Sequence, residues 1–168
     1  RETVQEIAEA MEQMAAVKTG ALIVVEQEVR LGEYEQTGIA VDGLVTSQLL
    51  INIFEKNTPL HDGAVIIRDN RIVSATCYLP LSDNMNISKA MGTRHRAALG
   101  LSEVSDAKIF VVSEETGAMS MAQGGKITRQ IDREFILGQF QHKEKQEKKT
   151  SALRRKVQLR KDKGGKRK

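Results

Sequence analysis

Three short clusters in this chain hold residue types that can do chemistry. Leu60-His61-Asp62-Gly63-Ala64 is the first. Asp-Gly ahead of an apolar run is a common turn, but it also sets a carboxylate at the mouth of a sheet, with Gly63 and Ala64 small enough for backbone to approach a ligand. His61 beside it is either a metal ligand or a histidine satisfied at the surface. The second cluster, Gly92-Thr93-Arg94-His95-Arg96, stands where a helical run begins. A helix start offers free N–H groups and partial positive charge, so the Thr93 hydroxyl and the Arg94 guanidinium would complete a phosphate site. Cations there oppose the helix dipole unless an anion is present, which weighs against a merely capped and solvated turn. Ser113-Glu114-Glu115-Thr116-Gly117 follows an apolar run. Paired acids in a tight turn are usually only solvated, yet a carboxylate at a strand end is the oxygen ligand that Mg2+ or Mn2+ takes beside nucleotide phosphates.

Positioning these clusters requires a sheet with helices around it. Val4, Ile7, Ala8, Met11, Met14 and Ala15 recur at helical spacing, which predicts an amphipathic helix over 2–17. The apolar run 21–25 reads as a buried strand, and 39–41 as a shorter one ending at Asp42-Gly43. Thr46 or Ser47 can cap a helix carrying Leu49, Leu50, Ile53 and Phe54. Only Asp69-Asn70 separates the β-rich runs 64–68 and 71–78, so the chain should double back there. Thr93 is the expected N-cap of a helix through Ala97, Ala98 and Leu101. Strands are expected at 108–112 and 118–122, and Gly124-Gly125 should turn the chain toward a last helix, 129–140. Helices and strands alternate irregularly and include hairpins. The expected fold is therefore α/β, a mixed central sheet with helices packed on its faces.

Composition bounds the function classes. With 168 residues, 40% of them hydrophobic, the chain is about one domain long. No apolar stretch approaches the roughly 20 residues that cross a bilayer, so these residues are expected to be soluble. The chain opens at Arg1 with no signal-peptide pattern, and a segment upstream is expected. Cys77 has no partner, which argues for a small buried hydrophobe in a reducing compartment over a disulfide scaffold. Residues 141–168 hold 13 Lys and Arg against 3 Asp and Glu, a net +10, whereas residues 1–140 carry −6. The expected division is a domain over 1–140 and a basic, flexible tail over 141–168. That tail has no aromatic residue. Although it could touch a polyanion, no specific nucleic acid partner is expected of an acidic domain with so few stacking residues.

Taken in order, Leu60–Ala64, Gly92–Arg96 and Ser113–Gly117, with Thr19-Gly20-Ala21-Leu22-Ile23, resemble the signature of DAC domains, the diadenylate cyclases. The similarity runs from about Val4 to Phe140 and is strongest to the membrane-anchored CdaA type. The resemblance implies that two ATP molecules are condensed into cyclic di-AMP by a homodimer, with Mn2+ or Mg2+ as cofactor. It also implies a place at the cytoplasmic face of the membrane through an anchor upstream. Residue by residue it implies Asp62 at the ribose 3′-hydroxyl, and Gly63 and Ala64 in close backbone contact. Thr93 and Arg94 would bind phosphate, with Gly92, His95 and Arg96 completing that motif. Tyr78 and Leu79 would sandwich adenine, or else only pack. Ser113 and Glu114 would contact substrate, and His61 with Glu115 would hold the metal, unless Glu114 serves instead.

Overall fold

Strand β1 (Ala21–Val25) is apolar at all five positions because it is the central strand of a sheet covered on both faces. The structure is a computed structural model that describes residues 2–84, 86–87 and 91–165. Before β1 comes α1 (Glu2–Ala16), and after it α2 (Gly32–Glu35), β2 (Ile39–Leu44) and α3 (Ser47–Phe54). The hairpin β3 (Ala64–Arg68) and β4 (Arg71–Cys77) leads to α4 (Thr93–Val104) and β5 (Lys108–Val112). The chain then runs through β6 (Met119–Gln123), β7 (Lys126–Arg129), α5 (Arg133–Gly138) and α6 (Gln141–Gly164). Among the described residues the seven strands lie in the order β2-β4-β3-β1-β5-β6-β7. β1 pairs parallel with β3, and every other pairing is antiparallel, so the sheet is mixed as expected.

Alternation along the strands splits the core in two. Ala21, Ile23 and Val25 face α1, α3 and α5, where Ile7, Met11, Leu50, Phe54, Phe110 and Ile136 are buried. Leu22 and Val24 face α4, where Ala97, Ala98, Leu101, Ile109 and Val111 are buried. Cys77 is buried and free.

Several boundaries differ from the sequence-based expectation. Gly124 (φ 58°) and Gly125 (φ 77°) form a two-residue left-handed turn. The chain therefore pairs back on β6, with Gln123 opposite Lys126, and residue 129 closes a seventh strand instead of opening a helix. That helix begins only at Arg133, because the Asp132 carboxylate accepts the Phe135 N–H at 2.8 Å. β2 continues past Asp42, whose φ of 50° marks a bulge and not an end. The tail is also more regular than expected. Residues 141–164 form α6, whose side chains are exposed from Lys145 onward.

One buried charge ties the far end of the sheet together. The Glu26 side chain, 1% exposed, accepts from Arg68 Nε at 2.5 Å and from the Leu31 N–H at 2.8 Å, and Arg68 also donates to Glu35 at 2.7 Å. Burial alone would raise the Glu26 pKa; the Arg68 and Leu31 hydrogen bonds and the charges of Arg68 and Arg30 outweigh it, so the carboxyl lies below its ordinary range.

A depressed carboxylate pKa stabilises the fold above the unfolded-state pKa and loses that contribution as pH falls through the folded value. Arg68→Ala should accordingly cost roughly 3 kcal/mol in denaturant unfolding at neutral pH, and the gap from wild type should narrow on acidification as Glu26 is protonated. A gap independent of pH would show that Arg68 acts by packing alone. Deleting residues 141–168 should leave the thermal transition in place, because α6 is exposed over most of its length. By contrast Phe140→Ala should cost about 3 kcal/mol, since Phe140 is buried and tilted against Phe110 at 6.3 Å.

Candidate active site

The strand directions bring four chain ends to one edge of the sheet. β1 and β3 are parallel, so both begin there; their antiparallel neighbours β5 and β4 both end there. A cavity of about 730 Å³ opens at that edge. Its wall takes His61, Asp62 and Gly63 from the approach to β3, and Tyr78 and Leu79 from the exit of β4. Gly92, Thr93, Arg94 and His95 come from the start of α4, and Ser113, Glu114 and Glu115 from the exit of β5. The three clusters, at 60–64, 92–96 and 113–117 in the sequence, thus converge on one space. Two expected members do not reach it. Ala64 is fully buried in the sheet, and Arg96 lies outside the cavity wall.

Local backbone explains how each group is presented. Gly63 has φ 79°, and a Cβ there would lie 2.9 Å from the carbonyl oxygen of Cys77, so glycine is needed for the close approach of β4. Opposite it the β3–β4 register shifts and Thr76 takes φ 55°, a bulge that turns Tyr78 out to 75% exposure at the cavity mouth. The loop after β4 is clamped onto α4. A Cβ on Gly100 would fall 1.8 Å from the Pro80 carbonyl oxygen, and the Ser82 N–H donates to the Arg96 carbonyl at 3.0 Å.

Thr93 is not the N-cap of α4. Gly92 occupies that place with an extended backbone and no side-chain hydrogen bond, so among the described residues no side chain caps the first turn of α4, and its N–H groups and the Thr93 hydroxyl line the side from which an anion would bind. Arg94 points back across the start of β1. Its guanidinium lies where a side chain on residue 20 would be, 2.4 Å from a Cβ built on Gly20, and faces Glu114 at 3.5 Å. Gly20 is therefore a functional residue that the composition of the three clusters does not reveal. Burial, then the charges of Arg129 and Arg94, push the His95 imidazole below its ordinary pKa, so His95 is neutral near pH 7.

Asp62 is 88% exposed and directed into the cavity mouth, where it can accept a hydrogen bond from a hydroxyl. The Nδ1 of His61 lies 2.7 Å from the Thr58 carbonyl oxygen, which can only accept; Nδ1 therefore carries a proton, and Nε2 is the ring nitrogen turned to the cavity, 3.7 Å from Asp62 Oδ1. A ring nitrogen so oriented by a backbone carbonyl is the arrangement found in metal-ligating histidines. Among the described residues no three His, Cys, Asp or Glu side chains cluster as a closed cage. His61 and Glu115 both line the cavity, and an imidazole with a carboxylate are donor types that divalent cations take. No helix among the described residues is long and apolar enough to cross a membrane.

Comparison with known proteins agrees with this arrangement. Residues 8–127 match the DAC family, described as DisA bacterial checkpoint controller nucleotide-binding. The chain is 49% identical over 136 residues to the cyclic di-AMP synthase CdaA of Bacillus subtilis, an alignment covering 81% of this chain and 50% of that protein. It is 51% identical over 133 residues to a diadenylate cyclase of Listeria monocytogenes, covering 79% of this chain and 49% of that protein. The chain thus spans about half the length of these curated relatives. A crystal structure of a DacA double mutant from Staphylococcus aureus superposes with a TM-score of 0.81 at 49% identity, covering 83% of this chain and 93% of that one. A structure titled as a hypothetical membrane spanning protein from Bacillus cereus gives a TM-score of 0.75 at 47% identity, covering 77% and 64%. With the matched region taking in all three clusters and the cavity they form, the chain belongs to the DAC family.

Proposed function

We propose that this chain is a diadenylate cyclase domain that joins two ATP molecules into cyclic di-AMP and releases two pyrophosphates. The observation that carries the reading is the single cavity in which the exposed Asp62 carboxylate shares a wall with Thr93 and Arg94 at the open start of α4. Its volume of about 730 Å³ suits one nucleotide. A module that only sensed a nucleotide could dispense with Asp62, whereas this chain retains it.

Each 3′-oxygen attacks the α-phosphorus of the facing ATP, a new P–O bond forms, and the bond to the β-phosphate bridging oxygen breaks. Positioning and charge neutralisation do most of the work in such a displacement. Asp62 orients the 3′-hydroxyl and accepts its proton, while Thr93, Arg94 and the first-turn N–H groups of α4 hold the phosphates. Ser113 Oγ is already engaged by the N–H groups of Glu115 and Thr116 at 3.3 Å, so it stiffens the acidic turn as well as lining the site. Tyr78, exposed at the mouth, and Leu79, packed beneath it, flank the space for adenine. A divalent cation, Mn2+ or Mg2+, at His61 and Glu115 would neutralise phosphate charge, and an imidazole ligand favours Mn2+.

The chain has one Asp62 and one Arg94 in one cavity, and the product needs two attacks. The active form in this reading is a homodimer with two cavities face to face, each holding one ATP. The likeness to the hypothetical membrane spanning protein from Bacillus cereus supports placing the whole protein at a membrane, and the need for ATP puts this domain on the cytoplasmic side.

Incubation with ATP and Mn2+ or Mg2+, with products resolved by mass, should give cyclic di-AMP and pyrophosphate. Asp62→Asn should abolish that product while leaving ATP affinity within a few-fold, because the carboxylate acts on the attacking hydroxyl. Arg94→Ala should also weaken ATP binding, by roughly 1.5 to 3 kcal/mol. Wild-type turnover in Asp62→Asn, or wild-type ATP affinity in Arg94→Ala, would contradict the respective role.

A further inference from the structure

We propose that Arg129 is a further phosphate-binding residue, reaching from the end of β7 to the outer phosphates of the nucleotide whose inner phosphate is held by Thr93 and Arg94. The inference rests on reading the cavity as a nucleotide site. None of the three clusters contains Arg129, and the hairpin that carries it was not legible in the sequence.

Sheet register places the residue. Leu22 pairs with Val111, Val111 with Ser120, and Ser120 with Arg129, one continuous row across four strands. Directly paired residues of antiparallel strands project to the same face. Leu22 and Val111 belong to the face packed under α4, and Leu22 also lines the cavity, so Arg129 projects to the α4 side at the far end of a row that begins at the cavity wall. At about 4.8 Å per strand, its Cα stands roughly 14 Å from that of Leu22, a gap that an extended arginine shortens by about half.

The charges along this row are unbalanced. His95, in the first turn of α4, lies within the fields of both Arg129 and Arg94. Arg94 has Glu114 at 3.5 Å, whereas Arg129 is exposed and makes no ion pair among the described residues. A half-buried imidazole within the field of two guanidinium charges, beside a helix start without a side-chain cap, is an arrangement that a polyanion relieves. In this assignment Arg94, on the cavity wall, meets the inner phosphate, and Arg129, beyond that wall, meets the end of the triphosphate that leaves as pyrophosphate.

The test is calorimetric titration of the full chain with α,β-methylene-ATP, which cannot release pyrophosphate, and with AMP, which lacks the outer phosphates. Arg129→Ala should weaken the ATP analogue about five- to tenfold, leave AMP within about twofold and keep the thermal transition; Arg129→Lys should recover most of the loss. Equal weakening of both ligands, or no change in either, would overturn the assignment. A wild-type chain that binds the analogue yet forms no cyclic di-AMP would defeat the proposed reaction and leave Arg129 standing. Failure of the wild-type chain to bind the analogue at all would overturn both.

Discussion

The parallel pairing of β1 with β3, flanked by antiparallel β5 and β4, is the constraint on which the site depends. Ile23, Val24 and Val25 lie beside Val65, Ile66 and Ile67, all buried. If β3 ran the other way, its entry, with His61 and Asp62, would sit at the opposite edge from Glu114. The pairing is fixed by apolar burial on both faces and not by the chemical residues themselves. Burial of these branched side chains contributes on the order of 1.5 to 3 kcal/mol each, so the site inherits its geometry from the most strongly stabilised part of the sheet. α4 then adds its open N-terminus at the same edge, held by the backbone contact between Gly100 and Pro80.

Charge is divided between the two ends of β1. At its exit, Glu26 is buried and satisfied by Arg68 and the Leu31 N–H, and its N–H donates to the Ile67 carbonyl at 2.9 Å. At its entry, among the described residues, Asp62 is exposed, Arg94 has a single ion pair, to Glu114 at 3.5 Å, and the first turn of α4 has no side-chain cap. Paired charges fix structure, and a ligand can satisfy the unpaired ones only by binding. Gly20 belongs to this second set by omission, since any side chain there would displace the Arg94 guanidinium.

Much of this was legible in the sequence because it follows from short-range rules. The apolar run at Ala21–Val25, the Asp69-Asn70 turn and the helical spacing over Val4–Ala15 each report local geometry, and each element formed there. The three clusters could be named as candidate chemistry from residue type, although only the fold shows that they face one cavity. What escaped depends on tertiary context. Thr93 has the chemistry of a cap, but the chain enters α4 so that Gly92 takes the position and the hydroxyl is left for the site. β7 was hidden because Lys126–Arg129 is a mostly exposed edge strand with little apolar content, and only the left-handed Gly124-Gly125 pair announces it. Arg96 shares a motif with Arg94 yet points elsewhere, as expected for side chains two positions apart on a helix.

In the proposed reaction one copy of the chain holds half of the reacting pair, with Asp62 of one cavity serving the phosphate bound in the other. Specific activity as a function of enzyme concentration, measured alongside the oligomeric state at each concentration, tests it most directly. Activity per chain should rise as dimer forms and level off when dimer is saturated. Constant activity per chain across a dilution series in which the protein remains monomeric would contradict the face-to-face arrangement and the mechanism built on it.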